Sequence, residues 1–160
     1  MTAAIEGHPN LRQKVLLDLA KRDKTNTTET FRGITEAAAM ALDVTRAGIW
    51  RLVSDRTAMV CEDLYDNSDH HHENGYVRKT NDDSAYFDDL LAGRAVCAPS
   101  RMEVPIWSRG KLYGVVSHEQ EGPPRSWRRD EVEFATNLAD VASLSLEACE
   151  RQTLEERCRR

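Results

Sequence analysis

The order of the apolar segments constrains the fold of this chain more than any other feature. Residues 11–20 and about 27–42 repeat apolar side chains at the spacing of amphipathic helices. Two pairs of shorter apolar runs follow, within residues 47–65 and 102–119, and are typical of β-hairpins. A long helical pattern begins at about residue 128. This order predicts an α/β (α+β) domain in which helices from both ends of the chain cover a sheet.

Local signals place several element boundaries. Asn26 followed by Glu29 predicts the start of the second helix, and Asp130 favours a helix start near residue 128 because acidic residues stabilise a first turn. Residues 84–92 are expected to form a short helix that ends at Gly93, with a brief strand over residues 95–98. The chain therefore reads as two helices, two strands, a helix, three strands and a final helix.

The polar segment of residues 66–83 lies between the two hairpins and contains three adjacent histidines, His70, His71 and His72. Adjacent side chains point in different directions, whereas zinc sites usually draw ligands from separate positions of a fixed scaffold. We therefore interpret the segment as a long, solvated surface loop with at most a short strand near Tyr76. No metal site is predicted.

Composition narrows the class of protein. The 160 residues suffice for one domain, with 40% hydrophobic and 31% charged residues. The net charge of −5 argues against a nucleic-acid partner, and the absence of a long apolar run argues against a membrane span, so a cytoplasmic location is expected. We predict an N-terminal tail at 1–10, the domain at 11–150 and a charged helix end at 151–160.

Several local patterns resemble, in order and spacing, the GAF domains of bacterial histidine kinases and cyclic-di-GMP enzymes. They are Arg46-Ala47-Gly48-Ile49-Trp50, Tyr86-Phe87-Asp88-Asp89-Leu90, Val104-Pro105-Ile106, Gly110-Lys111-Leu112-Tyr113-Gly114-Val115-Val116 and Asp130-Glu131-Val132-Glu133-Phe134-Ala135. The resemblance implies a central antiparallel sheet of about five or six strands with the terminal helices packed on one face. It also implies a pocket for a small molecule on the other face, under loops and the short helix.

By the same resemblance, the chain is expected to be a sensory or regulatory module of a bacterial signal-transduction protein, such as a two-component system. Similar domains relay signals through the C-terminal helix to an output domain or a partner kinase. The sequence does not identify a ligand or cofactor. One departure is that only residues 99–102 separate Ala98 from Glu103, where the family usually has a longer segment that helps to close the pocket.

Four side chains are candidates for ligand binding. Tyr86 and Phe87 lie on the short helix that would line the pocket, and the alternative is that they pack in the core. His118 is expected to share a strand face with Leu112 and Val116, either as a polar group of the pocket or as a hydrogen-bonded core histidine. Cys61 could react with a tetrapyrrole or sense redox state, and the alternative is an ordinary buried cysteine.

The final helix carries a candidate dimer seam. Leu138, Val141, Leu144 and Ala148 occupy one helical face. They could pair with the same helix of a second chain, or could cover the sheet of their own chain. Both arrangements can hold at once if the helix end projects, so a homodimer through the terminal helices is expected.

Two other functions are possible. The chain could be a dimerisation module without a ligand, or a thiol-dependent enzyme similar to the GAF proteins that reduce free methionine sulfoxide. The second needs two converging thiols, but Cys61, Cys97, Cys149 and Cys158 are widely scattered. Motifs of hydrolases and kinases are also missing from the sequence. We therefore predict no catalytic residues and no enzymatic activity.

Overall fold

The computed structural model describes residues 8–53, 55–80 and 84–160. The helices are α1 (His8–Lys21), α2 (Thr27–Leu42), α3 (Ser84–Leu91) and α4 (Arg129–Cys158). The strands are β1 (Arg46–Leu52), β2 (Ala58–Asp66), β3 (His71–Glu73), β4 (Val77–Lys79), β5 (Val96–Ala98), β6 (Arg101–Ser108) and β7 (Lys111–Glu119). Helix α1 begins at His8, three residues before the first residue of the predicted helical pattern.

All strand pairs are antiparallel, and the sheet runs in the order β3-β2-β1-β7-β6-β5, with β4 also paired to β2. The predicted α+β class is confirmed. The sheet has seven strands because residues 66–83, interpreted from the sequence as a loop, contribute β3 and β4. These two strands are short and pair with opposite ends of β2 at the sheet edge. Most of their side chains are exposed there, which is why polar residues are tolerated.

The larger core lies between one face of the sheet and helices α1, α2 and α4. Ile34 and Leu42 of α2, together with Leu138 of α4, are almost fully buried against sheet residues such as Val104 and Val116. Asn26 begins α2 by accepting a hydrogen bond from the Glu29 amide at 3.2 Å, as the sequence predicted. The terminal helices therefore share one face of the sheet.

Helix α3 covers the opposite face. The buried side chains on this side are Trp50, Met59, Cys61, Phe87, Leu90 and Val115, which we call the α3-side cluster. Phe87 and Leu90 belong to α3 and the other four belong to the sheet. The helix therefore occupies the middle of the face on which the sequence predicts a pocket.

Two close approaches shape this sheet. A Cβ atom at Gly114 of β7 would lie only 1.8 Å from the backbone oxygen of Trp50, so β1 and β7 can approach as they do only with glycine at this position. Strands β5 and β6 are joined by a tight connection in which Ala98 pairs with Arg101. The short connection noted in the sequence thus leaves the β5–β6 edge of the α3-side face uncovered by any additional helix.

Candidate ligand-binding site

Three polar side chains meet at one edge of the α3-side cluster. The Arg78 guanidinium donates to both carboxylate oxygens of Glu103, with Nη2 2.9 Å from Oε2 and Nη1 3.2 Å from Oε1. The Tyr86 hydroxyl donates to Glu103 Oε2 at 2.8 Å. Glu103 is only 4% exposed. A buried carboxylate thus accepts three hydrogen bonds from side chains of β4 and α3.

Strand register explains how these side chains converge. Arg78 pairs with Met59 across β2 and β4, which places its guanidinium 5.1 Å from the centre of the Trp50 ring. Glu103 pairs with Val96 on one side and Ser117 on the other, so its side chain points to the α3 side of the sheet. Three elements of the fold, β4, α3 and β6, therefore supply one charged cluster.

Burial changes the acid–base behaviour of this cluster. It raises the pKa of Tyr86 far above its ordinary value, and the charge of Glu103 acts in the same direction, so the phenol remains a donor. Burial acts to lower the pKa of Arg78, but the hydrogen bonds and charge of Glu103 outweigh it, and that pKa is raised. The cluster therefore holds a fixed arrangement of charge and of hydrogen-bond donors.

A cavity of about 230 Å³ opens beside this cluster. It is lined by Arg78, Lys79, Thr80, Tyr86, Arg101 and Glu103. Arg101 also lies 3.0 Å from the Glu119 carboxylate, through Nη2. The three cationic side chains outnumber the single carboxylate of the lining, which favours a small polar ligand with an acceptor group.

Two unpartnered polar atoms lie on the same face of the sheet. The indole Nε1 of Trp50 and the hydroxyl oxygen of Ser117 are buried and have no hydrogen-bond partner among the residues that the structure describes. Ser117 is the register partner of Glu103 and of Gly48, so all three lie on the α3 side. Buried polar groups usually have partners, so this face has unused hydrogen-bonding capacity next to the cavity.

The comparisons with known proteins decide the family. The family model of the GAF domain matches residues 26–146, which is most of the chain. This chain belongs to the GAF domain family. The recognition made from the sequence patterns is thereby confirmed. No curated protein matches the chain significantly in sequence.

Solved structures share the GAF fold at low sequence identity. A phycocyanobilin-bound GAF domain from a cyanobacterial phytochrome is 12% identical, with a TM-score of 0.75 over 88% of this chain and 96% of that chain. A methyl-accepting chemotaxis protein fragment is 15% identical, with a TM-score of 0.67 over 86% and 98%. The GAF domain of an Acinetobacter phosphoenolpyruvate-protein phosphotransferase is 11% identical, with a TM-score of 0.68 over 89% and 93%.

The GAF domain places three of the four candidate ligand-binding residues together. Tyr86 borders the cavity, while Phe87 and Cys61 lie in the adjoining α3-side cluster. Burial, followed by the nearby charge of Asp63, raises the pKa of the Cys61 thiol to about 12. A thiol so strongly protonated is a poor nucleophile, so Cys61 is placed as a packing residue of the site.

His118 lies on the other face of the sheet. Its register partners Ala47 and Met102 belong to the core under the terminal helices, and its Nδ1 donates to the Met102 carbonyl at 3.1 Å. The prediction that His118 shares a strand face with Leu112 is wrong, because Leu112 packs against the α3-side cluster. The pairing of β6 with β7 shifts register between Ile106 and Trp107, and this irregularity reverses the side to which Leu112 points. The structure does not bring His118 to the cavity.

Burial of His118 has an electrostatic consequence. The imidazole is fully buried, and this lowers its pKa to about 4, although the Met102 hydrogen bond opposes the shift. Its Nε2 is buried and has no hydrogen-bond partner in the described part of the chain. His118 is therefore a neutral histidine in the core at physiological pH.

The solvated-loop interpretation of the histidines is wrong for His72. Its side chain is only 8% exposed, with Nδ1 2.8 Å from Asp63 Oδ2 and Nε2 2.6 Å from Glu36 Oε1. The reason is that β3 pairs with β2 and turns His72 toward α2, while His71 on the other side of β3 stays exposed. In the described part of the chain, no three His, Cys, Asp or Glu side chains are grouped to hold a metal ion.

The proposed dimer residues divide between two environments. Leu138 and Val141 are buried in the core of their own chain. Leu144 is 52% exposed, and Ala148 is half-buried. Of the four residues on this helical face, Leu138 and Val141 pack within the chain, and Leu144 presents an apolar side chain to solvent.

Among the described residues, none of the helices has the length and apolar character that a membrane span needs.

Arg78 and Glu103 are the site residues that the sequence analysis missed. Glu103 is the only charged residue between Met102 and Ile106 of a buried strand, and this was the signal that could have indicated it. Arg78 gave no such signal, because it lies in a polar segment whose pairing with β2 is not visible in the sequence.

Proposed function

We propose that this GAF domain is a sensory module of a signal-transduction protein. In this proposal a small polar molecule binds between the sheet and residues 77–91. The observation that carries the proposal is the buried Arg78–Glu103–Tyr86 cluster at the wall of the 230 Å³ cavity. A buried ionic cluster contributes little net stability compared with apolar packing, so a binding role accounts for it better than a purely structural one.

The cavity size favours a small metabolite. Its volume lies below the roughly 300 Å³ at which pockets for drug-sized ligands begin. The phytochrome neighbour holds phycocyanobilin, a larger ligand. The raised pKa of Cys61 does not favour attachment of such a chromophore here.

Strand β6 offers a route for the signal. Glu103 faces the cavity, whereas its chain neighbours Met102 and Val104 are buried in the core that includes Leu138 of α4. A shift of β6 on ligand binding would therefore alter the packing beneath α4. We infer that α4 carries this change to an output domain or a partner kinase.

Helix α1 would move with α4. Arg12 of α1 donates from Nη1 to Asp130 Oδ2 at 2.8 Å, and this ion pair joins the start of α4 to α1. The Ser145 hydroxyl donates to the Lys24 carbonyl at 2.7 Å, which holds the connection after α1 to the middle of α4. The two terminal helices are thus linked at two levels.

Native mass spectrometry of the protein purified from its own host, followed by thermal shift against small metabolites, tests the ligand proposal. A true ligand raises Tm with the logarithm of its concentration. Glu103→Gln and Tyr86→Phe should abolish or strongly reduce this shift. Arg94→Gln is the matched control, because Arg94 pairs with Asp89 on the exposed side of α3. A ligand shift that all three variants keep unchanged would place binding elsewhere.

The dimerisation module is the second candidate function. Leu144 and Leu154 are about half exposed on α4, and Leu17 is similarly exposed on α1. Light scattering after size exclusion should show a dimer that Leu144→Glu and Leu154→Glu dissociate. A dimer without any ligand response would favour this module over the sensor, and a monomer would argue against it.

The thiol-dependent reductase gains no support. Cys61 is buried in the α3-side cluster, whereas Cys149 and the exposed Cys158 lie on α4, a helix that contributes no residue to that cluster. A resolving thiol must reach the attacking one, and these positions do not converge.

A further inference from the structure

A second cavity lies at the other end of α3. It occupies about 510 Å³ between the last turn of α3 and the tips of the β1–β2 and β6–β7 hairpins. This volume is more than twice that of the cavity beside Glu103. Helix α3, with Phe87 and Leu90 buried beneath it, separates the two cavities.

The walls of this second cavity are apolar. Leu52, Leu91, Trp107 and Leu112 line it. Leu91 is 42% exposed, although it belongs to the same helix as the buried Leu90. An exposed leucine facing an indole across a cavity provides two apolar surfaces between which a hydrocarbon body fits.

The charged groups of the lining are both cationic. Arg56 and Lys111 lie among the lining residues, which include no acidic side chain. Within the described ranges neither cation forms an ion pair with a carboxylate. The Arg56 guanidinium instead lies 5.9 Å from the centre of the Phe87 ring. The cavity thus combines apolar walls with two cationic side chains.

The backbone holds Arg56 in place. Its φ of 61° is left-handed, its amide donates to the Val53 carbonyl at 2.9 Å, and its own carbonyl accepts from the Thr80 hydroxyl. Thr80 also lines the first cavity. These two hydrogen bonds tie the backbone of Arg56 to the end of β1 and to the residue that follows β4.

We propose that this second cavity binds a small amphipathic carboxylate. Its hydrocarbon body would lie between Leu91 and Trp107, and its carboxylate would lie at Arg56 and Lys111. A guanidinium matches a carboxylate with two parallel hydrogen bonds, and the lysine adds a second charge. The first cavity does not suit this ligand, because its walls are mainly polar and its two arginines, Arg78 and Arg101, already pair with carboxylates.

Titration of the ¹⁵N-labelled full chain with sodium octanoate, below the concentration of micelle formation, tests this site. Amide shifts should concentrate at Gly110, Lys111 and Leu91 and at the indole of Trp107. 1-Octanol is the neutral probe with the same hydrocarbon body, and it should bind at least tenfold more weakly. A charge-assisted hydrogen bond contributes about 1.5–3 kcal/mol, which corresponds to roughly 10- to 100-fold in Kd.

Variants separate the contribution of charge to octanoate binding from nonspecific hydrophobic binding. Arg56→Gln and Lys111→Gln should each weaken octanoate binding about tenfold or more and leave octanol binding nearly unchanged. Leu91→Ala should weaken both probes. Arg94→Gln removes an equivalent charge from an exposed ion pair near α3 and should have no effect.

Four results would overturn the proposal. Octanoate could fail to shift the named amides at millimolar concentration, or it could shift only residues around Arg78 and Tyr86. It could also bind Arg56→Gln and Lys111→Gln as tightly as the unaltered chain. Binding of an acidic peptide at these residues without any response to octanoate would likewise count against a small carboxylate and assign the cavity to a protein partner. Shifts confined to Arg78 and Tyr86 would place octanoate in the Glu103 cavity. The other outcomes leave the proposal for that cavity unchanged.

Discussion

His72 Nδ1 lies 2.8 Å from Asp63 Oδ2, and this buried pair joins the edge strand β3 to the long strand β2. The second ring nitrogen of His72 lies 2.6 Å from Glu36 of α2, and Asp63 also accepts from the Thr35 hydroxyl at 2.5 Å. Both ring nitrogens of His72 therefore lie within hydrogen-bond distance of a carboxylate. Strand β3, which the sequence analysis interpreted as part of a polar loop, is thus connected to α2 through the side chain of His72.

Removal of this imidazole should destabilise the domain. His72→Ala leaves the Asp63 carboxylate buried beside Thr35 with one donor instead of two, and we expect a loss of about 3 kcal/mol in urea unfolding. His71→Ala is the control, since the His71 side chain is 62% exposed, and it should change stability by less than about 0.5 kcal/mol. Similar small losses in both variants would show that the buried pair is unimportant.

The Arg78–Glu103 pair should show strong energetic coupling. In a double-mutant cycle of Arg78→Gln and Glu103→Gln, we expect a coupling of about 1–3 kcal/mol, because Glu103 is buried and the contact is bidentate. The exposed Arg94–Asp89 pair is the matched comparison, with an expected coupling below about 0.5 kcal/mol. Equal couplings would mean that burial of Glu103 does not strengthen the pair.

His118 should make stability depend on pH. Its pKa is lowered from 6.5 to about 4 in the folded chain, so the unfolded chain binds more protons between these values. The contribution of His118 is fully present above pH 6.5 and is lost as pH falls toward 4, by about 3 kcal/mol in total.

Chemical denaturation at a series of pH values measures this effect. His118→Leu should flatten the slope of unfolding free energy against pH between 6.5 and 4, whatever its effect on absolute stability. His71→Gln removes an exposed histidine and should leave the slope as it is. An unchanged slope in His118→Leu would contradict the neutral, buried state of this ring.

Gly114 should not tolerate a side chain. The added methyl group of Gly114→Ala would overlap the Trp50 carbonyl, and the two central strands would have to separate. We expect a loss of more than about 3 kcal/mol, or failure to fold. Gly33→Ala is the control, because the nearest atoms there are the ends of the Arg22 and Leu19 side chains and alanine favours a helix. It should be nearly neutral.

Thiol reactivity should separate the buried cysteine from the exposed ones. Alkylation at pH 8, followed by peptide mass spectrometry, should modify the exposed Cys158 and Cys97 well before Cys61. The Cys61 thiol is buried and its pKa is raised to about 12, so very little thiolate forms. Preferential labelling of Cys61 would contradict its packing role and revive a thiol-dependent function.

The sequence alone determined the elements that depend on local signals. Apolar spacing predicted the helices, and Asn26 with Glu29 marked the start of α2. Alternation predicted the two hairpins and placed Met59 and Cys61 on one face. These features follow from chain neighbours a few residues apart, which is why their patterns can be read directly and why the family could be recognised from them.

Tertiary structure alone decided the contents of the two faces. Arg78 reaches Glu103 because β4 pairs with the far end of β2, and His72 reaches Asp63 because β3 pairs with the near end. The β2–β4 pairing joins residues far apart in the sequence, and β3, although it follows β2 closely, is as short and polar as β4. Short polar strands carry little periodicity. The register shift near Trp107 likewise reversed the face of Leu112 relative to His118. Periodicity shows which side chains share a face within one strand, whereas strand pairing and bulges decide which strands bring those faces together.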